Sequence, residues 1–355
     1  MSSVDIRHIR KSYGQMVAVD GVELAIADGE FISLLGPSGC GKTTTLRMIA
    51  GLIDPDSGSI EIDGRDVVAL PPYRRNLGMV FQSYALFPHM TVAENIGFGL
   101  EMRAFSRAEI QTRVAAALDV VRLPGVAERY PKQLSGGQQQ RIALARAIAI
   151  EPSVLLLDEP LSNLDLKLRM EMRVELKQLH ARIGVTTVFV THDQGEGLSL
   201  SDRVVVMNGG RIAQIGTPQE IYETPANRFV AAFIGEATLF DGVVEGMVGD
   251  AVKVRTDGGL TILAQTQRPV SPGQRVSVPV RPETVRLTGF DTAAPGVNRV
   301  DGTIEHIAYG GATSRHVVRL NESETIAIDL NRASTKLRTA VSAVWDIADT
   351  RLLTE

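Results

Sequence analysis

The chain reads as an α/β domain over residues 1–236 followed by an all-β domain over residues 237–355. Three observations predict this. Short, uninterrupted apolar runs alternate with helix-like stretches through residue 235, the pattern of strands buried on both faces of a parallel sheet. A glycine-rich phosphate-loop pattern sits between one such run and the helical stretch after it. Beyond residue 237 the texture turns to short β-branched segments punctuated by Gly, Pro and Asp, which reads as a compact barrel or sandwich.

In chain order, Phe31–Leu35, Val154–Leu157, Thr187–Val190 and Val204–Met207 read as buried strands, and Thr43–Ala50 as a helix. Thr91-x-x-Glu94 and Ser106-x-x-Glu109 are capping-box patterns that open helices. Thr217-Pro218-Gln219-Glu220 places proline at a first helical position, and Gly235 is expected to end a helix that begins near Asn227. In the last third, Asp241–Glu245, Ala251–Arg255, Arg275–Val280, Ser314–Leu320 and Thr325–Leu330 read as strands.

Composition narrows the function. A chain of 355 residues with 44% hydrophobic content can bury two cores. A formal charge of -4 and a pI near 5.9 lack the basic footprint of a nucleic-acid binder, so no nucleic-acid partner is expected. The single cysteine, Cys40, excludes an intrachain disulfide or a cysteine-based zinc site and fits a reducing cytoplasm. No apolar run approaches the roughly 20 residues needed to cross a bilayer, so membrane attachment is expected through a partner.

Gly36-Pro37-Ser38-Gly39-Cys40-Gly41-Lys42-Thr43 is the full Walker A pattern, with Thr44 continuing into the helix. Glycines let backbone N–H groups turn inward around phosphate oxygens, and the following helix adds its positive end. Lys42 is expected to reach the β- and γ-phosphates of ATP, and the Thr43 hydroxyl to hold Mg²⁺. Cys40 lies in this loop near the helix N-terminus. That position favours thiolate and predicts maleimide inhibition; a buried, inert thiol is the alternative. Val154–Leu157 runs into Asp158-Glu159-Pro160, an apolar strand ending in two carboxylates at the edge where an open α/β sheet places ligands. Asp158 is expected to orient Mg²⁺, and Glu159 to polarise an attacking water.

Leu134-Ser135-Gly136-Gly137-Gln138-Gln139-Gln140-Arg141, ahead of the helical stretch that precedes the Asp158 strand, closely resembles the signature motif of the ABC ATPase family. Ser135 can cap a helix, and two glycines expose backbone N–H groups to a phosphate. Other family elements follow in order. Gln82 matches the Q-loop, Ser162-Asn163-Leu164-Asp165 the D-loop and His192 the switch histidine, while Tyr13 stands where an adenine-stacking aromatic lies. The resemblance covers residues 1–235. It implies a RecA-like core with a helical lobe over about 84–150, Gln82 near Mg²⁺, and two copies closed head to tail on ATP. In that dimer Ser135, Gly136, Gly137 and Gln138 of one copy, with Asp165, meet the nucleotide held by Lys42 of the other.

The β-rich tail resembles the OB-like TOBE regulatory domain of binding-protein-dependent importers, with Arg281-Pro282-Glu283 at the expected place. Phe233-Ile234-Gly235-Glu236 resembles the spermidine/putrescine subgroup more than the sugar subgroup; iron(III), sulfate and phosphonate importers have similar ATPases. The resemblance implies two membrane-spanning permease subunits, a periplasmic solute-binding protein and a place at the cytoplasmic face of the cell membrane. The apolar segment Tyr84–Val92 is read either as a groove for a permease helix or as core packing. Competing readings are a soluble ABC ATPase, an exporter ATPase and a cassette without catalysis. Against them stand one cassette without zinc or coiled-coil insertions, the β tail, and the intact Lys42, Asp158, Glu159 and His192.

Overall fold

A strand with no polar face must be covered on both sides, and the apolar runs of this sequence are. The structure is a computed structural model describing residues 2–266, 268–289, 295–331 and 336–354. It divides into two compact units, Met1–Gln219 and Glu220–Glu355.

The elements of the first unit are β1 (Val4–Tyr13), β2 (Met16–Ile26), β3 (Phe31–Leu35), α1 (Lys42–Ala50), β4 (Ser57–Ile62), β5 (Arg65–Asp66), β6 (Leu77–Val80), α2 (Val92–Glu101), α3 (Arg107–Val120), α4 (Gly136–Ala149), β7 (Val154–Asp158), α5 (Leu166–Ile183), β8 (Thr186–Thr191), α6 (Gln194–Leu200), β9 (Arg203–Asn208) and β10 (Arg211–Gly216). One sheet has the order β10-β9-β3-β8-β7-β6. Its strands are parallel except for β10. Every residue of β3, β7 and β8 is buried. Alternation then splits each strand between two cores. Phe31, Leu155, Leu157 and Phe189 pack with α2, α3, α4 and α5, while Ile32, Leu34, Val154, Leu156, Val188 and Val190 pack with α1, β1, β2 and β4. The second layer is an antiparallel sheet of order β2-β1-β4-β5, which no apolar run in the sequence announced. Its strands have one covered face, so their pattern alternates.

Both capping boxes form: Thr91 and Ser106 each accept the N–H three residues on, and Glu94 and Glu109 accept the N–H of the cap. Tyr84 and Leu86 pack into the core of the helical lobe. Arg146 donates to the carbonyls of Tyr84 (2.8 Å) and Ala85 (2.7 Å), and Asn95 Nδ2 to that of Phe87 (3.1 Å). The Tyr84–Val92 segment is thus tied into the lobe, while Pro88 and His89 remain exposed.

The second unit contains α7 (Pro218–Glu223), which begins two residues before its boundary, and α8 (Arg228–Phe233). There follow β11 (Thr238–Val248), β12 (Ala251–Thr256), β13 (Thr261–Ala264), β14 (Arg275–Val280), β15 (Arg286–Thr288), β16 (Val297–Tyr309), β17 (Ser314–Arg319), β18 (Thr325–Leu330), β19 (Ala340–Asp346) and β20 (Leu353–Thr354). Two five-stranded sheets, ordered β13-β12-β11-β14-β20 and β15-β19-β16-β17-β18, have all their strand pairs antiparallel and share one core. At its centre Trp345, the only tryptophan, stacks on Phe240.

The compact second unit begins at Glu220 and so includes most of α7 and all of α8, which Arg281 ties to the β half. Its guanidinium lies over the Tyr222 ring at 4.4 Å and donates to the carbonyls of Tyr222, Ala231, Ile234 and Glu236. Glu283 accepts a hydrogen bond from the Tyr222 hydroxyl, and burial together with that acceptor pushes the phenol up to about 12. The Arg-Pro-Glu motif thereby fastens the two short helices to the β half. Arg281→Met leaves those carbonyls without their donor. We expect the second unit to lose about 3 kcal/mol, the scale of three part-buried hydrogen bonds and one exposed one left unmade. Trp345 fluorescence during urea unfolding measures this, and a transition that overlays that of the unsubstituted chain would count against the clamp.

Candidate functional site

Register decides which residues meet. Leu35 pairs with Thr191, and Asp158 with Val190, so β3, β7 and β8 end level. The next residue of each strand is Gly36, Glu159 and His192 respectively. Gln82 follows β6, the neighbour of β7.

The loop from Gly36 to Gly41 is built on close backbone approaches. A Cβ on Gly36 would sit 2.4 Å from the Met207 carbonyl oxygen, and one on Gly41 2.4 Å from that of Ala18. Gly41 also has φ +104 and forms the N-cap of α1, a conformation that L side chains avoid. Pro37 is half-buried, and Ser38 and Gly39 form the exposed crest. Lys42, 5% exposed, strides back across the loop and donates to the carbonyls of Gly36 (2.7 Å) and Pro37 (3.0 Å). Cys40 is buried with its Sγ 3.7 Å from Lys42 Nζ, so a reagent reaches the thiol only if the loop moves. Thr44 follows Thr43, half-buried, in the first turn of α1.

The structure brings two groups together at this edge. In the first, Thr43 Oγ1 donates to Asp158 Oδ1 at 3.1 Å, and Arg47 lies 3.7 Å from Asp158 Oδ2. Burial raises the Asp158 carboxyl above the ordinary range, against the pull of the Thr43 hydrogen bond and the Arg47 charge. In the second, Glu159 Oε2 accepts from Gln82 Nε2 at 3.3 Å and lies 3.2 Å from His192 Nδ1. Glu159 itself has φ +46, an unusual conformation for a side chain of this size, and its N–H donates to the Val190 carbonyl at 3.0 Å. Chemically, the first group offers hard oxygen donors beside the glycine loop. The second offers a carboxylate, an amide and an imidazole that can hold a water.

The remaining sequence-predicted residues bond locally. Ser135 caps α4, accepting from Gln138 N–H at 3.3 Å, while the Gln138 side chain accepts from Ser135 N–H at 3.0 Å. Ser135 and Gly136 are exposed, whereas Gly137 is buried against Leu168. Asp165 caps α5 through Leu168 N–H at 3.0 Å. Tyr13 is 46% exposed at the turn between β1 and β2, with Lys11 Nζ 5.8 Å from its ring. Sequence reasoning missed Arg47, one turn beyond Thr43, and it named Asn163 only within the D-loop match, without its partner: Asn163 Nδ2 donates to the Gln82 carbonyl at 2.8 Å. It also missed that Asp193 and Glu196 sit at the start of α6, although Asp-x-x-Glu is itself a helix-start signal.

An ABC transporter family model matches residues 19–162, and a TOBE domain model matches residues 278–353. The spermidine/putrescine import ATP-binding protein PotA of Thermobifida fusca (strain YX) is 51% identical over 330 residues, 92% of this chain and 85% of its own length. The protein of the same name from Rubrobacter xylanophilus is 45% identical over 350 residues, 97% of this chain and 92% of its own length. Among solved structures, a post-hydrolysis dimer of the ATP-binding cassette MJ0796 bound to ADP and Pi is 35% identical, with a TM-score of 0.55. It covers 61% of this chain and 98% of that one. With relatives so similar over nearly its whole length, the chain belongs to the ABC transporter family, as one of its ATP-hydrolysing subunits with a C-terminal TOBE domain.

Proposed function

We propose that this chain powers an importer of polyamines, spermidine or putrescine, by hydrolysing MgATP between two copies of itself. The observation that carries the reading is the run of relatives named for spermidine/putrescine import, 45–51% identical over most of the chain. Two permease subunits span the membrane and a periplasmic binding protein delivers the solute. This subunit works at the cytoplasmic face; among the described residues no helix is long and apolar enough to cross a bilayer. A cleft of about 830 Å3 lined by Phe105, Ile110, Val114 and Leu118 of the helical lobe is available to a permease helix.

In this reading the glycine loop and Lys42 grip the phosphates, and Tyr13 stacks on the base. Thr43, Asp158 and Gln82 hold Mg²⁺. Their oxygens suit that ion, which is bound through one or two carboxylates plus substrate phosphates. Bound there, Mg²⁺ supplies charge neutralisation at the phosphates. Glu159 takes the proton of the attacking water, His192 and Gln82 position that water and sense the γ-phosphate, and Ser135–Gln138 with Asp165 of the second copy close over it. Phosphoryl transfer needs mainly such positioning and charge.

Glu159→Gln should bind ATP normally, form a stable ATP-dependent dimer by size exclusion, and hydrolyse about 10²- to 10⁴-fold more slowly. Turnover near that of the unsubstituted chain would remove Glu159 from the role. Reconstituted with its copurified permease, the chain should drive spermidine or putrescine uptake. Uptake of iron(III), sulfate or a sugar in their place would reassign the solute and leave the ATPase chemistry standing.

Asp158 gives a pH-dependent test. Its folded carboxyl sits above its unfolded value because burial penalises the charge, so the ionised form costs stability at neutral pH. That cost disappears as pH falls through the raised folded value. Asp158→Asn should therefore melt higher than the unsubstituted nucleotide-free chain at pH 7.5, with the gap narrowing as pH is lowered, and should lose the melting-point gain from added Mg²⁺ with ATP. A lower melting point at pH 7.5 would contradict the burial argument.

A further inference from the structure

We propose that Arg169 is a positioning residue for hydrolysis, a junction that ties the loop before α5 to the loop carrying His192. This rests on the proposed roles of His192 and Glu159, and extends them to a residue that touches neither the nucleotide nor the reacting water.

The geometry is that of a three-way connector. Arg169 lies one turn into α5. Its backbone N–H makes the ordinary helix bond to the Asp165 carbonyl at 2.9 Å, and its side-chain Nη2 donates to the carbonyl of Leu164 at 3.0 Å. Its Nη1 lies 3.7 Å from Asp193 Oδ2, and its Nε 3.8 Å from Glu196 Oε1. One planar guanidinium therefore spans the residue before Asp165 and the residue after His192.

The acidic side is equally constrained. Asp193 caps α6 by accepting Glu196 N–H at 2.9 Å, and takes Arg173 Nη2 at 3.3 Å on the same oxygen. Its own N–H donates to Thr191 Oγ1 at 3.0 Å, and that hydroxyl donates to Glu196 Oε2 at 2.5 Å. His192 is thus flanked on both sides, by Thr191 and Asp193, with groups whose side chains belong to this network. Glu196 is 3% exposed, and burial raises its carboxyl. A carboxyl so enclosed needs the two arginines facing it, because an isolated buried charge is costly.

The junction also has slack. Arg169 Nε is buried and has no hydrogen-bond partner among the described residues, and its gap to Glu196 is longer than a hydrogen bond by less than about 1 Å. A small shift of the Leu164–Asp165 loop, such as a second copy seated on Asp165 would impose, moves the guanidinium toward or away from Glu196. Through Asp193 and Thr191 that shift reaches His192, which stands 3.2 Å from Glu159. The arrangement converts a displacement at the start of α5 into a change in where the imidazole sits.

Arg169→Lys in the full-length chain is the test, because lysine keeps the charge yet cannot reach Leu164 and Asp193 together. We expect kcat to fall about 10- to 100-fold and KM for ATP to stay within about twofold, the signature of lost positioning rather than lost binding. In a His192→Ala background, measured in single turnover, the same substitution should cost less than about twofold further. Turnover of Arg169→Lys within about twofold of the unsubstituted chain overturns the proposal, as does a loss that multiplies fully with that of His192→Ala. Normal hydrolysis by His192→Ala alone would instead sink the role given to the histidine, and the junction with it.

Discussion

Level strand ends govern everything at the candidate site. Parallel pairing sets Leu35 against Thr191 and Asp158 against Val190, and a slip of one residue would turn each following side chain to the opposite face. The alternation that sends Leu155 and Leu157 to one core and Val154 and Leu156 to the other is what forbids the slip. Burial of those side chains is the dominant free energy of such a sheet. The chemistry at the edge is therefore aligned by the apolar interior and not by its own polar contacts, several of which are long and exposed.

The charged groups near the edge follow a different logic from those on the surface. Asp158 and Glu196 are both buried, both are raised by that burial, and each is faced by guanidinium groups from the helix beside it. Surface pairs such as Arg7 with Glu61 contribute little. The buried ones carry a large desolvation cost that their partners only partly offset, so they are poor devices for stability. What they offer instead is sensitivity to small displacements, a property suited to the proposed closure of two copies on ATP.

Much of this was legible in the sequence, for reasons specific to each element. Phe31–Leu35 and Val154–Leu157 could be read because a strand covered on both faces leaves an unbroken apolar run. Thr91 and Ser106 could be read because capping is local, settled within four residues. The phosphate loop was legible for the same reason. The strands Val4–Tyr13 and Met16–Ile26 were not, since one exposed face interrupts their apolar pattern and bulges break the alternation. The contacts of Arg47 with Asp158, Asn163 with Gln82 and Arg169 with Asp193 were invisible because those partners lie far away along the chain, and nothing in spacing encodes such meetings. Arg281 was noticed as part of a motif, but not that its guanidinium would hold four backbone carbonyls.

Glu159 holds a left-handed backbone, with φ +46, where glycine would rest at ease. Such a residue stores on the order of 1–3 kcal/mol, and the surrounding sheet must hold it there. Selection for sturdiness alone would drift toward glycine or asparagine at this position and discard the carboxylate. Keeping an acid at that bend means the protein lives with permanent tension where its parallel strands end, and a hardier version of the molecule would give up the carboxylate on which the proposed hydrolysis depends.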